Sequence, residues 1–405
     1  MISKKDALHI VLRNVKEIGS EKVKVLFSLD RVLAEDIYAQ SNVPPFDNSA
    51  MDGYALLASD TKKSPSGLKV ELDVIEDVPA GYVATKNLAR GQAIRIMTGA
   101  PIPCGADAVI MVENTNINGR KVEILKEIRK GTNIRKTGEN IGEGDLVIKK
   151  GVLIRPAEIG LLASLGKKWV QVNKMPQVAI LATGDELVDP DHKLRPGKIR
   201  NSNSSILYTQ ILKCGGIPID LGIACDEAKV IKEKLLSGLM ADMILVSGGI
   251  SVGAYDLVKD ILAELGTRMK FWKVAMKPGK PLAFGLIKGK PVFGLPGNPV
   301  SSMVSFEQFV KPAIFKMSGR KHRLQPLVNA IVMEDIRINP GRVHFIRAKT
   351  IVNNGVYYTS PSGPQGSGIL RSMSQANSLI VLPENLSFVE KDSNVKIQIL
   401  NEVLE

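Results

Sequence analysis

Four short loops, each directly after a run of aliphatic residues, constrain the fold of this 405-residue chain more than any other feature. The runs are short and largely apolar, which is typical of strands buried on both faces of a sheet. Helical patterns lie between them, so the region predicts a parallel sheet with crossover helices. In such a sheet the loops after the strands collect along one edge, where ligands bind. The runs are Val178–Ala182, Ile219–Ile223, Met243–Val246 and Val292–Leu295.

The first three loops bring acidic side chains to that edge. Asp185 and Glu186 follow the first run, Asp226 follows the second, and Asp256 lies beyond the third. Several carboxylates on one crowded edge repel each other without a cation, and Mg²⁺ binds both carboxylates and phosphate oxygens. The set therefore predicts a magnesium-bound phosphate ligand. Asp226 equally suits the N-cap of the helix that follows, so both interpretations stay open.

The third and fourth loops offer backbone amides. Ser247–Gly253 has adjacent glycines that can form an anion-holding concavity, although a plain tight turn has the same composition. Its spacing is that of neither a Walker loop nor a dinucleotide fingerprint. Leu295–Pro299 precedes a helix, whose N-terminus attracts anions, and either proline is a candidate for a cis peptide bond. The candidate ligand-binding residues of the loops are Thr183, Gly184, Asp185, Ser247, Gly248, Gly249, Ser251, Pro296, Gly297 and Asn298.

Three lysines add positive charge close to these loops in sequence. Lys273, Lys277 and Lys280 lie in one stretch that is rich in proline and glycine, which favours a fixed loop shape. Cations beside a carboxylate-lined cleft would bind an oxyanion or stabilise charge that develops on phosphate. The alternative is a solvated basic turn.

Composition narrows the class of ligand and the compartment. The net charge is +13, but only 5% of residues are aromatic and no stacking platform stands out, so an anionic small ligand is favoured over nucleic acid. No stretch approaches the roughly 20 apolar residues of a membrane span, and no apolar signal core follows Met1. Three cysteines without paired spacing indicate a reducing compartment, which predicts a cytoplasmic protein.

The pattern of turns and strands divides the chain into four predicted domains. Residues 41–144 show short alternating runs separated by Gly and Pro, which is typical of a small β-rich domain. Residues 174–322 form the α/β unit, and residues 323–405 return to strand patterning with a hairpin turn at Asn353-Asn354-Gly355. Residues 1–40 and 145–173 are predicted to join as one discontinuous linker and dimerisation domain.

Six segments, in order along the chain, resemble the molybdopterin molybdenumtransferase family, which includes the bacterial MoeA proteins and the C-terminal domain of gephyrin. The resemblance implies an α/β plus β multidomain fold. Its central α/β domain would resemble molybdopterin adenylyltransferases, with a small β-rich insertion and a C-terminal β-barrel-like domain. The segments are Pro44–Ala55, Thr98–Pro101, Thr183–Leu187, Ser247–Asp256, Lys277–Pro281 and Leu295–Ser301.

The resemblance also implies a homodimer that converts adenylylated molybdopterin and molybdate into molybdenum cofactor and AMP with Mg²⁺, in transient contact with a molybdopterin adenylyltransferase. Glu186, Asp226 and Asp256 would hold the metal. The implied catalytic residues are these three with Asp52, Lys273 and Lys277, and Asp52 would reach the partner subunit's cleft. The further residues implied to bind substrate are Thr98, Asn140, Lys280, Arg347 and Ser367.

One position departs from the family pattern, and rival functions stay open. Gly138-Glu139-Asn140 stands where the family usually has Gly-Glu-Asp, which removes a charge from that position. The nearest rival is a molybdopterin adenylyltransferase, because the α/β unit would suit ATP as well. A gephyrin-like scaffold is a second rival.

Overall fold

The computed structural model describes residues 1–62, 70–249, 257–321 and 326–401 of the protein. The chain forms two compact units. One comprises Met1–Val23, Asp30–Ala34 and Gln171–Glu405, and the other comprises Lys24–Leu29 and Glu35–Val170. We call them the large unit and the small unit. The predicted boundaries of four domains stay predictions.

Eight α-helices occur in the described residues, and none of those helices has the length and apolar character needed to cross a membrane. They are α1 (Lys4–Asn14), α2 (Pro156–Ser164), α3 (Ser202–Lys213), α4 (Ala228–Gly238), α5 (Leu257–Glu264), α6 (Pro299–Ser305), α7 (Lys311–Met317) and α8 (Leu370–Ser374).

The strands of the described residues fall into three stretches of the chain. The first are β1 (Ser20–Lys24), β2 (Ile37–Tyr38), β3 (Asn48–Ser49), β4 (Gly53–Leu56), β5 (Val70–Val78), β6 (Gln92–Ile96), β7 (Ala108–Met111), β8 (Thr115–Asn118), β9 (Lys121–Ile124), β10 (Ile134–Arg135), β11 (Leu146–Ile148) and β12 (Trp169–Asn173). The second are β13 (Gln177–Thr183), β14 (Leu187–Val188), β15 (Ile199–Arg200), β16 (Ile217–Ala224), β17 (Met243–Ser247), β18 (Arg268–Lys273), β19 (Met276–Lys277), β20 (Pro281–Ile287) and β21 (Lys290–Leu295). The third are β22 (Leu327–Val332), β23 (Ile336–Arg337), β24 (Val343–Asn353), β25 (Val356–Pro361), β26 (Ser378–Leu382), β27 (Phe388–Val389) and β28 (Asn394–Ile399).

The central sheet of the large unit confirms the predicted parallel arrangement. Its strand order is β16-β13-β17-β21-β20-β18. The first four strands pair in parallel, and the β21–β20 and β20–β18 pairings are antiparallel. Strands β13, β17 and β21 are buried along almost their whole length. The prediction of burial on both faces is wrong for Ile219–Ile223, because β16 is the edge strand and its residues are only half-buried.

Helix boundaries correct three sequence predictions. The sequence pattern predicts a helix that begins at Ser204 or Ser205. Helix α3 begins at Ser202 instead, because Asn201 caps it through a 3.1 Å bond from the Ser204 N–H. Asp226 is not the N-cap of α4, since Glu227 occupies that position without a side-chain bond. Pro312 predicts a kink or an end of the helix after Pro299, but it lies in the first turn of α7, and a π-helical segment at Phe306–Val310 separates α6 from α7.

Helix α1 belongs to the core of the large unit. Its buried Ala7, Leu8 and Val11 share one apolar cluster with Val178 and Ile180 of β13. The sequence grouped residues 1–40 with residues 145–173, but the structure places α1 in the α/β core. Burial of apolar surface is the dominant stabilising contribution, which favours this packing of α1.

The C-terminal strands of the large unit form a closed barrel. The pairings run β24-β25-β22-β28-β26 and return to β24, while β19 adds to the outside of β24. The predicted hairpin at Asn353-Asn354-Gly355 is confirmed, with Asn354 at φ 49° and Gly355 at φ 76°. The barrel-like C-terminal region is therefore confirmed.

The small unit contains the predicted β-rich region. Its six-stranded sheet has the order β7-β4-β6-β5-β9-β8. Two apolar clusters pack on it, one around Tyr54 and Leu56 and the other around Ile94 and Ile96. Helix α2 begins with the predicted Pro156 and is followed by the predicted Gly166, which has a φ of 70°.

We expect truncation of a central strand to cost more than truncation of the edge strand. Ile180→Ala in β13 removes a fully buried side chain, so the free energy of unfolding should fall by about 2–5 kcal/mol. Ile219→Ala in β16 is the matched control, and its half-buried side chain predicts a smaller loss. Urea denaturation measures both values. Equal losses would contradict the assigned strand order.

Candidate functional site

The loops after β13 and β17 touch each other at the carboxyl edge of the central sheet. An ideal Cβ on Gly248 would lie 2.5 Å from the Thr183 carbonyl oxygen, and one on Gly249 would lie 2.7 Å from Thr183 Oγ1. Both glycines have positive φ angles, of 92° and 63°. The close approach therefore requires glycine at both positions. Thr183 is 2% exposed.

Asn203 joins the loop after β17 to the loop after β21. Its Nδ2 lies 2.8 Å from Ser247 Oγ and 2.8 Å from the Gly297 carbonyl oxygen. Sequence reasoning missed Asn203, since it lies in the first turn of α3 and in none of the four loops. Pro296 is buried, whereas Gly297 and Asn298 are exposed. The cis peptide bonds of the described residues precede Pro44 and Pro278, not Pro296 or Pro299.

The loops after β13 and β16 are joined by an acidic pair. The Asp226 N–H donates to Asp185 Oδ1 at 3.0 Å, and the Asp185 N–H donates to Asp226 Oδ2 at 3.4 Å. The Gly184 N–H also donates to the Ala224 carbonyl at 3.2 Å. Glu186 folds back so that its carboxylate lies over Gly184, where a Cβ would collide with it. Asp185 and Asp226 therefore contact each other, and Glu186 lies on the same loop as Asp185, with all three exposed.

The fourth acidic residue, Asp256, lies outside the described residues, as does Ser251. Among residues 1–62, 70–249, 257–321 and 326–401, no three His, Cys, Asp or Glu side chains come together as a metal site. Glu186 and Asp226 are oxygen ligands of the type that Mg²⁺ prefers, but the described carboxylates alone do not complete a site. The predicted metal ligands stay a prediction.

The three predicted lysines lie on a loop that is fixed at several points. Val274 donates to the Lys280 carbonyl at 3.0 Å, and Ala275 donates to the Ile2 carbonyl at 2.8 Å. Gly279 has a φ of 99°, and a Cβ there would lie 2.7 Å from Ser305 Oγ of α6. The loop therefore packs against α6, the helix that follows the fourth loop. Lys277 and Lys280 are exposed and Lys273 is half-buried.

Arg347 is fully buried in the large unit and faces backbone carbonyls. Its Nη2 donates to the Pro364 and Gly366 carbonyls at 2.8 and 3.1 Å, and its Nε donates to Ser372 Oγ at 2.9 Å. Burial lowers the pKa of the guanidinium. In the described part of the chain, Nη1 is buried and has no hydrogen-bond partner. Arg347 thus holds the 364–366 segment through Nη2, whereas Nη1 makes no hydrogen bond to the described residues.

Ser367 follows the segment that Arg347 holds. Its carbonyl accepts from the Val300 N–H at 3.2 Å, so it satisfies one free amide at the start of α6. This contact brings the tail residue to the fourth loop, as the resemblance implied for a shared site. The amide of Val300 is consequently not available to a ligand.

A cavity of about 250 Å³ lies beside Lys277 in the large unit. Its polar lining comprises Lys277, Arg337, Asn339, Gln365 and the buried His344, whose pKa is lowered by burial. Gln365 also exchanges two hydrogen bonds with the backbone of Arg347, at 3.0 and 3.1 Å. Sequence reasoning did not select Arg337, His344 or Gln365, because they lie on separate segments without a motif.

Three predicted residues lie in the small unit. Asp52 Oδ1 accepts from the Thr98 N–H and from Thr98 Oγ1, both at 2.7 Å. These bonds lower the pKa of the exposed Asp52 carboxyl, and the bond from the Thr98 N–H has the larger effect. Asn140 is exposed, and its N–H donates to the Val43 carbonyl at 3.1 Å. The predicted reach of Asp52 into a partner subunit stays a prediction.

Three ranges of the chain match models of known protein families. Residues 2–166 match the MoeA N-terminal region (domain I and II), residues 179–316 match a probable molybdopterin binding domain, and residues 329–400 match the MoeA C-terminal region (domain IV). A protein of Bacillus subtilis (strain 168) called molybdopterin molybdenumtransferase is 37% identical over an alignment of 407 positions, which covers 98% of this chain and 94% of that protein. The chain belongs to the MoeA family.

Other members of the MoeA family show the same coverage. A molybdopterin molybdenumtransferase of Staphylococcus epidermidis is 36% identical over 384 residues, or 94% of this chain and 91% of its own length. The crystal structure of the molybdopterin biosynthesis moeA protein from Pyrococcus horikoshii OT3 covers 98% of this chain and 100% of its own, with a TM-score of 0.82 and 35% identity. The predicted family and multidomain fold class are confirmed.

The contact between the first and third loops generates a stability prediction. Gly248→Ala should lower the free energy of unfolding for two reasons: the new Cβ would collide with the Thr183 carbonyl, and alanine would have to adopt a positive φ. Gly289→Ala is the control, since Gly289 has a φ of 82° but open space around its Cβ position. We expect the control to lose about 1 kcal/mol and Gly248→Ala to lose more, as measured by chemical denaturation. A smaller loss for Gly248→Ala than for the control would refute the close approach.

The bonds from Thr98 predict a pH effect in the small unit. Thr98→Val removes one donor, so the pKa of Asp52 should rise toward the ordinary Asp value of about 3.9. Because the folded-state pKa is lowered, this carboxylate stabilises the fold above the unfolded-state pKa and loses that effect as pH falls through the folded-state pKa. In Thr98→Val this stabilisation should be smaller, and its loss should be complete at a higher pH, because only the folded-state pKa rises. Carboxyl ¹³C NMR titration measures the pKa, with Thr98→Ser as control, and an unchanged value in Thr98→Val would contradict the assignment.

Proposed function

We propose that this protein is a molybdopterin molybdenumtransferase, which combines molybdate with adenylylated molybdopterin to give molybdenum cofactor and AMP. The observation that carries the proposal is the joining of all four strand-end loops in the large unit by contacts through Thr183, Asp185 and Asn203. Such an edge of a parallel sheet is where α/β proteins bind ligands. The relatives that cover most of the chain carry this name.

The glycine loop would bind the phosphate groups of the adenylylated substrate. Gly248 and Gly249 have consecutive positive φ angles and no side chains that would shield the loop. Backbone concavities of this kind hold anions. The Gly248 N–H donates to the Leu295 carbonyl at 3.2 Å, which fixes the loop against β21, so the amide of Gly249 would face the phosphate. Because the loop is already ordered, less conformational entropy is lost when it binds the phosphate.

Glu186 and Asp226 would hold Mg²⁺, together with Asp256. The metal would neutralise charge on the phosphoanhydride. Asp185 would act indirectly, because its carboxylate accepts the Asp226 N–H and so fixes the backbone of Asp226. The exposed position of Glu186 and Asp226 leaves their oxygens accessible from solvent.

Lysine and arginine side chains would bind the oxyanion. Lys277 lines the 250 Å³ cavity, and Nη1 of Arg347 is buried without a partner among the described residues. A buried donor without a partner costs about 1–3 kcal/mol, which an anionic acceptor would recover. Arg347 would not bind the anion as a bidentate fork, because Nη2 and Nε already bond to protein oxygens.

Neutral replacements test the acidic residues. Glu186→Gln and Asp226→Asn should each slow molybdate-dependent AMP release from adenylylated molybdopterin at least about tenfold, because each replaces a charged carboxylate that would bind the metal with a neutral amide. Asp191→Asn is the matched control, since the Asp191 side chain is 87% exposed on the neighbouring 189–198 segment. Chromatographic quantification of AMP measures the rates. Full activity in both variants would refute the metal-binding role.

Removal of the metal tests the cofactor directly. Dialysis against EDTA should abolish AMP release by the unaltered protein, and added Mg²⁺ should restore it. Accumulation of adenylylated product from ATP and free molybdopterin would instead support the adenylyltransferase alternative. Activity that persists without any divalent cation would contradict the proposed cofactor.

We propose a cytoplasmic homodimer, supplied with substrate by a molybdopterin adenylyltransferase. Three large apolar side chains of the small unit are exposed, namely Leu26 at 79%, Phe27 at 72% and Leu29 at 48%. Contiguous apolar groups of this kind on a surface are typical of interaction sites. All three cysteines are free, which suits a reducing compartment.

Charge placed in this apolar patch should weaken the dimer. Phe27→Glu would bury an unpaired carboxylate between two copies, so the dimer dissociation constant should rise at least about tenfold. Sedimentation equilibrium measures the constant. Tyr82→Glu is the control, because Tyr82 is 67% exposed elsewhere in the small unit. An unchanged dimer in Phe27→Glu, or an unaltered protein that is monomeric, would contradict this surface.

A further inference from the structure

The orientation of the Asn203 amide is fixed by its surroundings. The Gly297 carbonyl can only accept a hydrogen bond, so the amide nitrogen and not the oxygen must face it, at 2.8 Å. The same nitrogen lies 2.8 Å from Ser247 Oγ. The position of Oδ1 then follows, since it must point away from both of these partners.

Two polar atoms at the loops are buried without a partner in the part of the chain that the structure describes. They are Asn203 Oδ1 and Thr183 Oγ1. Buried polar groups are hydrogen-bonded in the great majority of proteins, and an orphan costs about 1–3 kcal/mol. Thr183 is 2% exposed, and the glycines beside it leave its hydroxyl unobstructed where a Cβ would collide with it. These atoms therefore belong to a site that a ligand completes.

We propose that Asn203 positions the substrate: its nitrogen holds the loops after β17 and β21 together, and its Oδ1 accepts a hydrogen bond from an O–H or N–H group of the bound small molecule. The inference rests on the proposed function for the identity of that molecule. Adenylylated molybdopterin offers the required donor from three sources: a ribose hydroxyl, the amino group of adenine, or an amide or amino N–H of the pterin. Thr183 Oγ1 supplies a hydroxyl on the neighbouring loop.

Steady-state kinetics of AMP release test the role of Asn203. Asn203→Ala should raise the KM for adenylylated molybdopterin about threefold to tenfold, the loss expected for one hydrogen bond. Asn201→Ala is the matched control, because Asn201 caps the same helix through Ser204 and has no bond to either loop. The control should lower the melting temperature with an unchanged KM. Asn203→Asp keeps the size and an acceptor oxygen but places an oxygen against Gly297, so it should lower kcat more than it raises KM.

Product inhibition identifies the donor. The unaltered protein should bind AMP more tightly than 2′-deoxy-AMP or 3′-deoxy-AMP if a ribose hydroxyl meets Oδ1, and Asn203→Ala should remove that preference. If the adenine amino group is the donor, Asn203→Ala weakens the binding of AMP and of both deoxynucleotides equally. If the donor is a pterin N–H, the three nucleotides inhibit equally and Asn203→Ala weakens binding of free molybdopterin instead. Unchanged KM, nucleotide preference and molybdopterin binding in both Asn203 variants would overturn the proposal.

Failure of the proposed function is distinguishable from failure of this role. If the unaltered protein releases no AMP, the transferase proposal fails, and direct binding of AMP and of molybdopterin then decides the role of Asn203. Weaker binding of either molecule by Asn203→Ala than by Asn201→Ala supports it, and equal binding of both overturns it. If Asn203→Ala does not fold, Asn203→Leu, which keeps a similar size but has no acceptor oxygen, decides the question in the same measurements.

Discussion

Contact between strand-end loops is the constraint on which the site depends. Strands β13, β17 and β21 are buried side by side, so the loops that follow them must leave the sheet at the same edge. Thr183 and Gly248 then approach so closely that only glycine fits. Asn203 extends the connection to Gly297, and the Asp185–Asp226 pair extends it to the edge strand. Four segments distant in sequence thereby form one surface.

The tail and the lysine loop are connected to this surface by backbone contacts rather than by charge. The Ser367 carbonyl accepts a hydrogen bond from the Val300 N–H in the first turn of α6, and Gly279 packs on Ser305 of the same helix. Arg347 is fully buried, and its Nη2 donates to the Pro364 and Gly366 carbonyls. The proposed contact with an oxyanion would therefore use Nη1, a different nitrogen of the same guanidinium.

Periodicity and turn chemistry predicted the parallel sheet, the hairpin at Asn354 and the position of the glycine loop, because those features depend on local sequence. The burial of Ile219 and the cap of α4 were predicted wrongly, since strand order and the Asp185–Asp226 contact are properties of the assembled sheet. Asn203 and Gln365 carry no motif, so only packing could reveal them. The family resemblance, by contrast, rested on six ordered segments and extended to the whole chain.

Hydrogen–deuterium exchange with and without adenylylated molybdopterin, Mg²⁺ being present in both samples, tests the shared surface most directly. The account predicts that the substrate slows exchange together in peptides that contain Thr183–Glu186, Cys225–Glu227, Ser247–Gly249 and Pro296–Asn298. It predicts no change in peptides from the outer hairpin at Asn353–Gly355. Protection confined to one of these loops, or absent from all of them, would contradict the claim that they form a single substrate site.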